Sequence, residues 1–214
     1  MKNLLVTSAL VALTALFGTE TGASPYVQVE GGGMVPGQSS DCSPNCGTAR
    51  WDFENSGLVS VAVGVDGLSS KWWNPDPSVS VFFMRFGGKN GGSGFLNPPA
   101  NTAENGRLNV YGVEGRLNWA WYVTEPLSVR PGIGLGVAYF ENHDLGNIPG
   151  TDSIGGEWAS LITANMNLQY DITDRWAATG GVKFVHSNVE LGENNRSLDV
   201  GTFFWTFGIR HTLR

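Results

Sequence analysis

Three side-chain types that together can cleave an ester lie close to one another late in the chain. The stretch Phe184 to Asp199 reads FVHSNVELGENNRSLD. It holds His186, Ser187 and Asn188 in succession, then a polar run, then Asp199. In such a site a hydroxyl attacks the carbonyl carbon, an imidazole takes and returns the proton, and a carboxylate orients the imidazole. That chemistry requires the three groups to share one side of the element that carries them. The elements around the stretch therefore decide what it can do.

Those elements read as strands. Apolar residues recur at every second position, with turn residues between the runs. The first strand is Tyr26 to Gly32, and a long polar loop with Cys42 and Cys46 follows it. The second is Gly57 to Val65, with valines at alternate positions. A stretch from Asp66 to Pro77, carrying Trp72 and Trp73, reads as a turn with an interfacial anchor. The third strand is Ser78 to Phe86, and its faces are ambiguous because Phe82, Phe83 and Arg85 do not alternate. A Gly/Asn/Pro-rich loop covers Gly87 to Gly106. The fourth strand puts Tyr111, Val113, Leu117, Trp119 and Trp121 on one face, and the fifth does the same with Val129, Ile133, Leu135, Val137 and Tyr139. A polar loop from Glu141 to Gly156 leads to the sixth strand, where Ile162 to Ile172 alternate with Thr163, Asn165, Asn167, Gln169 and Asp171. The seventh carries Trp176, Ala178, Gly180, Val182 and Phe184. The eighth carries Phe203, Trp205, Phe207 and Ile209.

The resulting expectation is an all-β fold, an eight-stranded antiparallel transmembrane barrel of the outer-membrane type. Loop lengths alternate between long and short, as they do in such barrels. The faces opposite the apolar ones hold Glu30, Glu114, Arg116, Arg130, Lys183 and Arg210. A narrow closed barrel can pair those charges inside while its apolar face meets lipid. Composition agrees. Charged residues are 15% of the 214-residue chain, and there are 30 glycines and 8 tryptophans. That charged share is low against a usual ~25% for soluble domains. The net charge of −6 gives no basic footprint, which argues against a nucleic-acid partner.

Residues 1–23 read as a secretory signal, with Lys2 at the start, an apolar run from Leu4 to Phe17, and Thr21-Gly22-Ala23 for cleavage. Residues 24–214 then form one domain. Beyond residue 23 no apolar run is long enough for a membrane helix. In an exported chain the nearby Cys42 and Cys46 most simply form a disulfide that staples their loop.

Counting by twos from Trp176 places His186 and Asn188 on the lipid-facing side. Counting back from Phe203 places Asp199 there too. With the N-terminus in the periplasm, all three lie near the outer rim. The plain alternative is that they are interfacial residues touching headgroups or water, where polar groups cost little. Ser187 is the open point. Strict alternation turns it into the barrel, whereas a β-bulge would turn it outward beside His186.

The C-terminal part, residues 128–213, resembles the lipid A 3-O-deacylase (PagL) family of outer-membrane barrels, also called acyloxyacyl hydrolases. The likeness rests on His186, Ser187-Asn188, Leu191-Gly192, Asn195 and Leu198-Asp199, on Asp199 standing twelve residues after Ser187, and on the glycine-rich Arg130 to Phe140. The family places one residue between His and Ser; here the two are adjacent. The resemblance implies hydrolysis of an ester-linked acyl chain of lipid A, in lipopolysaccharide of the outer leaflet. It assigns attack to Ser187, proton transfer to His186 and orientation to Asp199, with Asn188 or backbone N–H groups beside it at the oxyanion. Phe184, Phe203 and Trp205 would support the acyl chains, and the scheme needs neither metal nor cofactor. The competing expectation is a non-catalytic, opacity-type surface barrel with a binding or structural role. It predicts Ser187 inside and His186 apart from Asp199. A porin is disfavoured, because eight strands enclose side chains rather than a channel. His143, in Glu141-Asn142-His143-Asp144, lacks metal-ligand spacing, and His211 reads as interfacial.

Overall fold

A computed structural model describes residues 23–35, 39–43, 50–67, 75–90, 106–143, 156–191 and 196–213. The expected signal segment up to residue 22, Trp72, Trp73 and Cys46 lie outside the described residues, and so does a Cys42–Cys46 bridge. Among the described residues there are ten strands and no helix. They are β1 (Ser24–Met34), β2 (Ser39–Ser43), β3 (Arg50–Asp66), β4 (Pro75–Asn90), β5 (Gly106–Trp119), β6 (Trp121–Thr124), β7 (Leu127–His143), β8 (Glu157–Asp171), β9 (Trp176–Leu191) and β10 (Arg196–Thr212).

Each strand pairs antiparallel with its neighbours, and β1 closes the sheet by pairing with both β10 and β3. The short β2 continues the line of β1, wedged between β10 and β3. The short β6 continues β5 along β7. Ten strands therefore make eight staves of one closed barrel. The staves run longer than the apolar pattern alone suggests. β7 extends to His143 and β8 begins at Glu157, so part of the expected polar loop is paired backbone. The segment read as a loop around Cys42 holds the β2 pairing. Near the short turns the chain reverses at Glu125-Pro126 and over 172–175. After β3 it turns at Gly67, whose φ of 81° only glycine adopts without strain.

Burial divides the barrel as a hydrocarbon solvent would. On β8, Thr163, Asn165, Asn167 and Gln169 are buried, and Ile162, Met166, Leu168 and Tyr170 are exposed. Leu135 (68% exposed) and Phe207 (70%) face outward from their staves. A water-soluble protein would bury such residues; a membrane barrel presents them to lipid.

The lumen has two layers. Toward the short-turn end its charges form compact pairs. Asp76 receives Arg130 at 2.7 Å and Arg210 at 2.8 Å, and both guanidiniums also reach Asp66. Farther along, Glu114 binds Lys183 at 2.6 Å and Glu30 binds Arg116 at 3.1 Å. The charges expected inside are there, and each cluster balances two carboxylates against two cations. Gly134 makes room for the second cluster: a Cβ there would run into Thr163 Oγ1 and Glu114 Oε1. Toward the long-loop end the lumen is apolar instead. Leu58, Met84, Phe86, Val110, Leu161 and Phe204 pack there, with Phe86 and Phe204 edge to face at 5.9 Å. The inner face therefore carries charge over only part of its length. This division also resolves the ambiguous strand: in β4, Phe82, Met84 and Phe86 point in while Val81, Phe83 and Arg85 point out. Both faces of β4 are apolar because it borders lipid on one side and this plug on the other.

Candidate functional site

The expected site lies where β9 and β10 approach the long-loop end. Their ladder runs without interruption from His211↔Trp176 to Arg196↔Leu191. Within it Gly201 faces His186, Val200 faces Ser187, and Asp199 faces Asn188. On the outward side the apolar residues of β9 stop at Phe184, and those of β10 stop at Phe203. His186, Asn188 and Asp199 come next, at the polar edge of the lipid-facing band.

His186 Nδ1 and Asp199 Oδ1 stand 3.3 Å apart. The two side chains are 40% and 57% exposed, so the pair is open to the lipid side. Register explains the meeting. Asp199 is one outward position beyond Gly201, the direct partner of His186, so the imidazole reaches it diagonally across a residue with no side chain. The aromatic surface continues below: Phe184 and Phe203 rings are 4.8 Å apart, the Phe184 and His186 rings are parallel within 8°, and Trp205 is half exposed. Face counting therefore places His186, Asn188, Asp199, Phe184, Phe203 and Trp205 on the side where they stand. The surface-barrel expectation that His186 and Asp199 stay apart is not met.

Ser187 is not among them. It is 1% exposed and faces the lumen, where its Oγ donates to the carbonyl oxygen of Ser160 at 2.8 Å. No bulge reorients it, because the β8–β9 register is regular up to Leu161↔Ser187 and the β9–β10 register is regular past it. The expectation of Ser187 as a nucleophile beside His186 is corrected on this geometry. Adjacent residues of a regular strand point to opposite faces. Sequence reasoning also passed over Ser160, exposed on the outer side of β8. A lone serine in an alternating strand carries no signal until the register across β8 and β9 is known.

The other histidines stand elsewhere. The His211 ring lies tilted against Trp176, with centroids 4.3 Å apart, near the short-turn end. The backbone of His143 ends β7. Among the described residues no cluster of three or more His, Cys, Asp or Glu is arranged to hold a metal.

A closed eight-stave barrel with paired charges inside, an apolar belt outside and polar residues at its rim belongs to the class of outer-membrane β-barrels. Comparison with known proteins agrees at the level of fold. Neisserial surface protein A (NspA) is similar with a TM-score of 0.52 at 15% identity, over 90% of this chain and 99% of that one. OprG of Pseudomonas aeruginosa is similar with a TM-score of 0.53 at 12% identity, over 90% of this chain and 96% of that one. No protein-family model matches the chain, and no curated protein matches it.

Proposed function

We propose that this barrel is exported by a cleaved signal peptide to the bacterial outer membrane and there hydrolyses an ester-linked acyl chain of lipid A. One observation carries the reading: a carboxylate-held imidazole on the lipid-facing side, at the outer edge of the apolar belt. A base in that place meets acyl esters within the leaflet, without extraction of the lipid into water. Asp199 holds the imidazole by Nδ1 and fixes its orientation. Nε2 is then the nitrogen that exchanges protons with the reaction. Asn188, directly across from Asp199, supplies an amide donor for the oxyanion. Phe184, Phe203 and Trp205 offer the acyl chain a surface continuous with the membrane interior. The reaction needs a hydroxyl on the outer face, and Ser187 does not provide one.

The burial of Ser187 also favours a second reading, a non-catalytic surface barrel of opacity type in which the His186–Asp199 pair only trims the rim. Fatty-acid release separates the two. Purified barrel is folded in micelles with lipopolysaccharide, and free fatty acid is measured by mass spectrometry. The hydrolase reading expects release by the wild type and none by His186→Ala. No release by either leaves the surface-barrel reading.

A further inference from the structure

The outer face around His186 carries a second serine, and its position is set by the first. Ser160 is opposite Val137 in the β7–β8 ladder, and Val137 is 53% exposed to the lipid side. Ser160 is exposed on that same side. Toward β9, the last paired residues are Leu161 and Ser187. Continuing that register by one step sets Ser160 level with Asn188. Asn188 in turn faces Asp199 on β10. Three adjacent staves thus bring Ser160, Asn188 and Asp199 into one outward row. His186 is in the row below, with Ile162 on its β8 side and Gly201 on its β10 side.

The inward Ser187 sits at the junction. Its hydroxyl bond to the Ser160 carbonyl, at 2.8 Å, ties β8 to β9 just beyond the Leu161↔Ser187 pair. We infer that Ser160 is the nucleophile of the proposed ester hydrolysis and that Ser187 is its positioning residue. This rests on the hydrolase reading above. Acid, base and nucleophile then come from β10, β9 and β8 in order. Diagonal neighbours on one face of adjoining strands stand ~7–8 Å apart, a gap that an imidazole from one side and a hydroxymethyl from the other can bridge. Asp199 occupies Nδ1 from the β10 side, and Nε2 serves the β8 side.

The steps balance with water as the second reactant. Ser160 Oγ bonds to the ester carbonyl carbon while its proton passes to His186 Nε2. The tetrahedral intermediate collapses, the bond from that carbon to the sugar oxygen breaks, and Nε2 returns the proton to the leaving hydroxyl. Water then attacks the acyl-Ser160 ester, giving its proton to Nε2. The Oγ–carbon bond breaks, Oγ recovers the proton, and a free fatty acid departs.

The test uses the full barrel in micelles, an alkyl fluorophosphonate that phosphonylates active serines, and the fatty-acid assay. The expected adduct maps to Ser160. Ser160→Ala, an outward substitution that leaves the lumen untouched, is expected to abolish labelling and to cut release by about 10³-fold or more. Ser187→Ala is expected to lower kcat with KM unchanged, and to keep the adduct on Ser160. Heat-modified mobility of each variant on gels verifies folding. Release that persists in folded Ser160→Ala, or an adduct on Ser187 alone, overturns the assignment and leaves the hydrolase reading standing. Absence of both release and adduct in the wild type overturns the two together.

Discussion

One residue of register separates Ser187 from the face that His186 occupies, and the difference changes which hydroxyl meets lipid. Face counting from Trp176 and Phe203 was enough to bring His186 to Asp199, because both staves stay regular and the two aromatic anchors lie on known faces. It could not reveal Ser160, whose nearness to His186 depends on how β8 pairs with β9. Nor could it show that Ser187 bonds the carbonyl of Ser160. The exposed His186–Asp199 pair adds little to stability, since solvent-accessible pairs contribute ~0–1 kcal/mol. Asp199→Ala is therefore expected to leave the urea-unfolding midpoint close to that of the wild type. The same variant should lower fatty-acid release by about 10²–10⁴-fold, because the base loses the group that orients it. A large loss of stability, measured by urea unfolding in micelles, would instead make the pair a structural clamp.

At the scale of elements, the lumen-facing charges were legible as a set but not as pairs. Alternation put Glu114 and Lys183 inside; only the barrel's closure puts Lys183 Nζ 2.6 Å from Glu114 Oε2 and Thr163 Oγ1 3.0 Å from Glu114 Oε1. Glu114 is fully buried, so removing it strands Lys183 and Arg116 beside a single remaining carboxylate, Glu30. Glu114→Ala is expected to cost ~3–5 kcal/mol in denaturant unfolding, as breaking a buried pair does. Gly134→Val should lower the folded fraction on gels, because its side chain enters the space of Glu114 and Thr163. The faces of β4 were illegible for a physical reason. Phe82 fills the upper plug and Phe83 faces lipid, so the solvents on both sides of that strand select the same residue type.

The whole molecule is an inside-out protein, and its composition announced that before any residue was placed. Few charges and many glycines and tryptophans suit short turns, a narrow lumen and an interfacial belt. What composition could not announce is the division of the lumen into an apolar plug and two neutral ion clusters. That filled interior leads to the expectation that the barrel inserted in planar bilayers gives no stepwise ion conductance, and stable single-channel openings would contradict it. The outward belt carries its own test. Leu135→Arg, on a strongly exposed belt position, is expected to cost ~2–4 kcal/mol if it lies near the bilayer midplane. The central claim is that the lipid-facing His186–Asp199 pair works on lipid A in the membrane. The most direct measurement is mass spectrometry of lipid A from bacteria expressing the wild type or His186→Ala at equal outer-membrane levels. The account predicts lipid A lacking one ester-linked acyl chain with the wild type and a full complement with His186→Ala. The same full complement in both strains would contradict it.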